Sequence, residues 1–208
     1  MRAFSAGAGL FAVLSIAPAS AGTIPYPNAG TINPATYSFT ATSTGTLTPY
    51  FYGSNAKDYE VLNVYDIVSG ASLTNEFLNQ ATPTGASVPM TVTAGDSLVF
   101  TVTDQTSGLT LSSIPGNNAD GDQHVYATAF PGGAVNVNTD FGQGSATLPA
   151  GLYIGFEDTP YPYGDFNYAD LQFVVTDTTV QTPEPASWLI LGTASAVMAA
   201  GRRRRRAG

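Results

Sequence analysis

Apolar and polar residues alternate in short runs along most of the chain. Tyr37, Phe39 and Ala41 are interleaved with Ser38, Thr40 and Thr42, and Leu98, Phe100 and Val102 with Val99, Thr101 and Thr103. Val135 and Val137 alternate with Asn136 and Asn138, and Leu171, Phe173 and Val175 with Gln172, Val174 and Thr176. A period of two turns one set of side chains toward a core and the other toward water, so these runs predict half-buried strands. Turn-forming clusters separate them: Ala94-Gly95-Asp96, Pro115-Gly116-Asn117-Asn118, Asp120-Gly121-Asp122 and Pro131-Gly132-Gly133. Residues 72–81, with Leu73, Phe77 and Leu78, are the one stretch whose spacing predicts a short helix. Many short strands with regular turns predict an all-β fold, a single antiparallel β-sandwich of jelly-roll-like type. Residues 176–182 read as a flexible spacer after it.

Two longer apolar runs break this rhythm, one at each end. Near the start, Arg2 precedes an apolar segment over 6–16, and Ala19-Ser20-Ala21 forms a small-residue cleavage box. This is the pattern of a secretory signal peptide over 1–21, and it predicts a mature chain starting at Gly22. Near the end, residues 186–201 carry no charge and are followed by Arg202, Arg203, Arg204, Arg205 and Arg206. As a helix, that segment would span roughly 24 Å. The hydrocarbon core is about 30 Å thick, a gap that snorkelling arginines and an interfacial Trp188 can close. Arginines stay on the cytoplasmic side, which predicts a transmembrane helix with the body of the chain outside.

The order of features in the tail carries a resemblance. Pro183-Glu184-Pro185, an apolar segment and an arginine cluster resemble the PEP-CTERM sorting signal of exported bacterial proteins. The resemblance implies an exosortase-type processing enzyme as partner, transient anchoring in the bilayer over 183–208, and release to the cell surface or extracellular matrix.

Charge sharpens the picture of the body between the two signals, the β domain read over 22–175 together with its spacer. The chain carries 15 acidic residues and a formal charge of −8, but six of its seven basic residues, Arg2 and the tail arginines, lie in the two terminal signals. Between them Lys57 stands alone against fourteen carboxylates, a balance near −13. Such a domain repels nucleic acid and attracts cations. With no cysteine in the chain, disulfides, thiolate metal sites and thiol nucleophiles are excluded.

The acids concentrate in 151–175, GLYIGFEDTPYPYGDFNYADLQFVV. Glu157, Asp158, Asp165, Asn167 and Asp170 surround a Gly- and Pro-bearing loop over 159–164, with strands predicted to end near Phe156 and restart near Tyr168. A hairpin of this kind brings five oxygen-bearing side chains to one sheet end. Calcium takes six to eight such oxygens, so Ca²⁺ is the expected cofactor. The segment Gly155-Phe156-Glu157-Asp158, a loop, then Asp165-Phe166-Asn167-Tyr168-Ala169-Asp170 resembles the GFED-loop-DxDYND signature of the DUF4114 group. These are extracellular β-rich domains, and the resemblance implies calcium binding. The chain departs from that signature at Asn167, where an acid is usual, and at Ala169, where an asparagine is usual.

Other chemistry is sparse. His124 is the only histidine, which excludes a multi-histidine zinc site, and Asp120-Gly121-Asp122 reads as an ordinary turn. No G-x-S-x-G elbow, H-E-x-x-H or phosphate-binding loop occurs. Glu157 and Asp158, adjacent in a strand, should point to opposite faces, which argues against their being a glycosidase pair. Tyr161-Pro162-Tyr163 suits stacking on sugars, so exopolysaccharide is the expected contact. The expected function is that of an exported, non-enzymatic surface or matrix protein. A secreted polysaccharide hydrolase is the alternative from another class. Ice binding is a third, on Thr-x-Thr pairs such as Thr40/Thr42, Thr44/Thr46, Thr91/Thr93 and Thr101/Thr103.

Overall fold

The computed structural model describes residues 24–137 and 144–182. The signal peptide read over 1–21, the sorting motif Pro183-Glu184-Pro185, the helix read over 186–201 and the arginines 202–206 lie outside the described residues. Among the described residues no helix is long and apolar enough to cross a membrane.

In chain order the strands are β1 Ser38–Ala41, β2 Gly45–Leu47, β3 Pro49–Gly53, β4 Glu60–Asp66, β5 Ser72–Glu76, β6 Met90–Val92 and β7 Ser97–Asp104. They continue as β8 Thr110–Ser112, β9 Val125–Phe130, β10 Gly133–Val137, β11 Gly144–Leu148, β12 Gly151–Phe156, β13 Leu171–Val175 and β14 Thr178–Gln181. A single 3-10 turn, Pro115–Asn117, is the only helical element among the described residues. The domain is all-β, as the alternation predicts, and each strand pair is antiparallel.

One sheet runs β14-β1-β7-β4-β5, with β8 added to β7 beyond the end of β1. The second runs β3-β13-β12-β9. Their apolar faces share one core. Phe39, Leu62, Val64 and Phe100 of the first sheet join Phe51, Ile154, Phe156 and Phe173 of the second. Phe173 is the stitch between them, 5.6 Å from Phe100 across the core and 6.1 Å from Phe156 beside it, centroid to centroid.

The second sheet departs from a simple alternation. Every residue of β13 is buried, including Gln172 and Val174, whose positions predict exposure. The reason is a third layer. The hairpin β10–β11 lays Val135, Val137 and Leu148 over Tyr52, Tyr153 and Val174 on the outer face. The buried Gln172 is satisfied there, accepting from the Tyr153 hydroxyl at 2.9 Å and donating to the Ala169 carbonyl at 2.8 Å.

Two local expectations are corrected. The helix predicted over 72–81 begins instead as β5, because β4 offers a free edge that pairs Tyr65 with Ser72 and Val64 with Leu73. Asn75 and Phe77 adopt left-handed backbone (φ 58° and 55°), which no helix tolerates, and this bulge drops Phe77 into the core. The spacer predicted over 176–182 is likewise structured. A turn at Asp177 (φ 56°) carries the chain across to the other sheet, where β14 pairs with all four residues of β1. The folded unit therefore runs to Gln181 rather than stopping at Val175.

Candidate metal centre

The β12–β13 pair ends with Phe156 opposite Leu171. Beyond it the backbone continues to close. The Asp170 amide donates to the Phe156 carbonyl at 3.0 Å, and the Asp158 amide to Asp170 Oδ2 at 2.9 Å. The Glu157 amide donates to the His124 carbonyl at 3.0 Å, so β9 supports the same corner. Two glycines let it close. A Cβ on Gly155 would collide with the Tyr168 carbonyl, and one on Gly164 would sit 2.6 Å from Glu157 Oε1.

The outcome is that carboxylate oxygens of Glu157, Asp158 and Asp170 lie within 4.8 Å of one another. Glu157 and Asp170 are buried and Asp158 half-buried. The expectation that Glu157 and Asp158 face opposite ways fails, because both lie past the last paired residue of β12, where strand alternation no longer governs them. Asp165 lines the same pocket, with Lys57, Asp58 and Tyr163. Asn167 does not line it. Its Oδ1 accepts from the Ala169 amide at 2.7 Å, and its own amide groups donate to Asp165 at 3.1 and 2.8 Å. These bonds brace a loop in which Phe166 and Tyr168 both take left-handed backbone (φ 47° and 58°) and turn their rings into a cluster with Tyr26. Of five predicted ligands, three converge, one stands at the rim and one holds the loop.

The electrostatics follow from crowding like charges in a poorly solvated corner. Burial pushes the Glu157 carboxyl up to about 8, with help from the charges of Asp165 and Asp158. Asp170 is raised well above the usual carboxylate range by burial and by the charges of Asp158 and Glu157. Lys57 makes no ion pair among the described residues, although it lines the pocket.

One participant escaped the sequence reading. Glu60, the first residue of β4, is fully buried, touches Asp158 and is pushed up to about 11, by burial first and then by its acidic neighbours. Neither of its carboxylate oxygens has a hydrogen-bond partner, and Glu157 Oε2 also lacks one. Buried polar atoms without partners are rare and call for a missing one. An all-oxygen, highly acidic donor set with no sulfur and no imidazole suits a hard divalent cation.

His124 sits behind this corner. It is fully buried, its Nδ1 is 3.1 Å from the Glu157 carbonyl and its Nε2 3.0 Å from Asp120 Oδ2. The ring is held from both sides and is packed as a brace. The Asp120-Gly121-Asp122 turn is thus tied to the hairpin through His124, without Asp120 joining the carboxylate cluster.

No protein-family model, curated protein or solved structure was found to match the chain.

Proposed function

We propose that the chain is an exported, non-enzymatic surface or matrix protein whose β domain, a jelly-roll-like sandwich, binds Ca²⁺ at its loop end. The observation that carries this reading is the convergence of Glu157, Asp158 and Asp170 within 4.8 Å, none of them in an ion pair among the described residues. Asp165 supplies a further oxygen at the rim. Calcium suits it better than Mg²⁺, which demands a tight octahedral shell and sheds water reluctantly. When bound, the ion would neutralise carboxylates that otherwise repel one another, and so fasten the loop to the sheet.

Export rests on the two terminal signals, with processing by an exosortase-type enzyme at the PEP-CTERM-like tail. Contact with exopolysaccharide is supported by Tyr161 and Tyr163, which are 62% and 86% exposed, Tyr163 at the edge of the acidic pocket. Exposed aromatic faces of this kind suit stacking on sugar rings. The hydrolase alternative asks for two carboxyl groups about 5–9.5 Å apart, flanking a substrate. Oxygens packed within 4.8 Å favour a shared ion over a shared sugar. Ice binding is disfavoured by the placement of the threonines. They are spread over the first sheet and the β2–β6 pair, and Thr101 is buried.

Calorimetric titration of the full-length chain with CaCl₂, MgCl₂ and NaCl at matched ionic strength tests the reading. Saturable binding of Ca²⁺ that exceeds Mg²⁺ and disappears in Asp158→Ala and Asp170→Asn is the expected result. Equal effects of CaCl₂ and matched NaCl would reduce the site to a screened acidic loop.

A further inference from the structure

The ligands discussed so far come from one hairpin of the β3-β13-β12-β9 sheet. Glu60 comes from the other sheet. Its main chain is fixed on both sides by Asn79, whose Oδ1 accepts from the Glu60 amide and whose amide donates to the Glu60 carbonyl, each at 3.1 Å. Asn79 is fully buried and held by its own donations to the Asp58 carbonyl at 2.8 Å and Ser54 Oγ at 3.2 Å. No donor of the fold reaches the Glu60 carboxyl, and it is turned against Asp158, the one group with which it can share a proton.

This is not how the neighbouring acid of the same ladder is treated. Asp104 lies directly across from Glu60 in the β4–β7 pair and is also buried. Its oxygens accept from the amides of Thr106 at 2.7 Å and Ser107 at 3.1 Å. The fold supplies donors to one buried acid and none to the other. An unsatisfied carboxylate facing a carboxylate cluster is what a cation ligand looks like in the absence of its ion.

We infer that Glu60, which stands against Asp158 and outside the three groups that lie within 4.8 Å of one another, closes on the divalent cation as a further carboxylate ligand, so that the ion clasps the two sheets together at this end of the core. The inference rests on the metal-binding reading and extends it. Bridging geometry suits a large hard ion with a flexible shell, since its ligands come from elements that are not joined locally.

The test uses the full-length chain, its Glu60→Gln, Glu60→Asp and Asp104→Asn variants, and CaCl₂ as ligand. Glu60→Gln keeps the shape of the side chain but removes the anionic form that a cation would bind. It should weaken Ca²⁺ binding at least about tenfold, the loss that even a residue behind a ligand produces. In EDTA its melting temperature should equal or exceed that of the wild type, because the amide can donate to Asp158. Glu60→Asp should retain part of the affinity, and Asp104→Asn all of it. As a direct readout, the side-chain carboxyl ¹³C resonance of Glu60 should shift on saturation of the wild type with CaCl₂, along with that of Glu157. If Glu60→Gln binds Ca²⁺ like the wild type while Asp158→Ala does not, the clasp is overturned and the hairpin site stands. If the wild type binds no Ca²⁺, both fall. Should Glu60→Gln fail to fold, the carboxyl resonance decides alone, and an unmoved Glu60 signal overturns the proposal.

Discussion

Strand β4 begins with one buried acid, Glu60, and ends with another, Asp66. The two are treated in opposite ways. Asp66 sits at a hairpin turn and accepts from the amides of Val68 at 2.8 Å and Ser69 at 3.2 Å and from the Ser69 hydroxyl. Burial pushes it up, but those hydrogen bonds outweigh burial and hold it below the usual carboxylate range. Glu60 is as fully shielded from solvent but lies much deeper, with no donor and three acids around it, Asp158, Asp170 and Asp104. Loss of solvent contact alone is therefore not what distinguishes the candidate site. The supply of donors is. One end of the strand is a finished turn, and the other is an acid that no donor of the fold reaches.

The largest expected effect that separates the two ends is pH dependence in EDTA. Glu157 and Glu60 are raised from 4.5 to about 8 and about 11. The folded chain thus keeps protons that the unfolded chain releases. That stabilisation is complete below 4.5 and is lost as pH rises, through about 8 for Glu157 and about 11 for Glu60. The slope is about 1.4 kcal/mol per pH unit for each group. Asp66 and Asp104 are lowered from 3.8, so their contribution is present above 3.8 and disappears as pH falls through their folded values. The metal-free melting temperature should therefore decline from about pH 5 to about pH 8. A flat or rising profile in that window would place donors at the Glu60 end that this account denies it.

Next in size is rescue by the ion. Ca²⁺ at a hundredfold excess over Kd should add about 2.7 kcal/mol to stability. Differential scanning calorimetry should show this in Asp66→Ala, whose cluster is intact, and not in Asp158→Ala. A gain shared by both variants would mean that the ion acts on net charge rather than on the cluster.

Removing the donors' acceptor at the finished end is a smaller change. Asp66→Ala leaves the Val68 and Ser69 amides without their acceptor, at a turn open to water, and should cost about 1–2 kcal/mol in urea unfolding. Glu60→Gln should cost nothing in EDTA. If the two variants are equally destabilised, the contrast between the ends has no energetic content.

The smallest effect concerns Asn167. Asn167→Asp should leave Ca²⁺ affinity unchanged, and Asn167→Ala should cost no more than about 1 kcal/mol, the worth of its hydrogen bonds within the loop. Tighter Ca²⁺ binding in Asn167→Asp would move that residue from brace to ligand.

Much of the hairpin is legible in the sequence because its contacts are local. Phe156 ends β12 where the apolar run gives way to Glu157, and a short loop forces Asp170 back beside Asp158. The return strand starts at Leu171, later than the pattern suggests, because Phe166 and Tyr168 enter a separate aromatic cluster instead of extending the ladder. Glu60 is illegible for the converse reason. It is far away along the chain and in another sheet, and its spacing to Glu157 encodes nothing. Its acid head at the start of an apolar strand is the only local trace. The same limit hides β14, since four polar-alternating residues become a strand only when β1 presents a free edge, and it hides the double-sided burial of β13, which depends on a remote hairpin.

Strand β14 has a mechanical consequence. It is the last paired element among the described residues, it lies at the sheet margin, and its register runs from Ala41 with Thr178 out to Ser38 with Gln181. Tension applied through the chain beyond Gln181 reaches the Ser38–Gln181 pair first. Drawn away from the sheet, the strand peels one pair at a time back to the bend at Asp177, so it yields at low load instead of resisting in shear. The acidic corner, with β12 and β13 bonded along their whole length, lies behind that bend. A tether at this end would loosen the margin and leave the acidic corner unstrained.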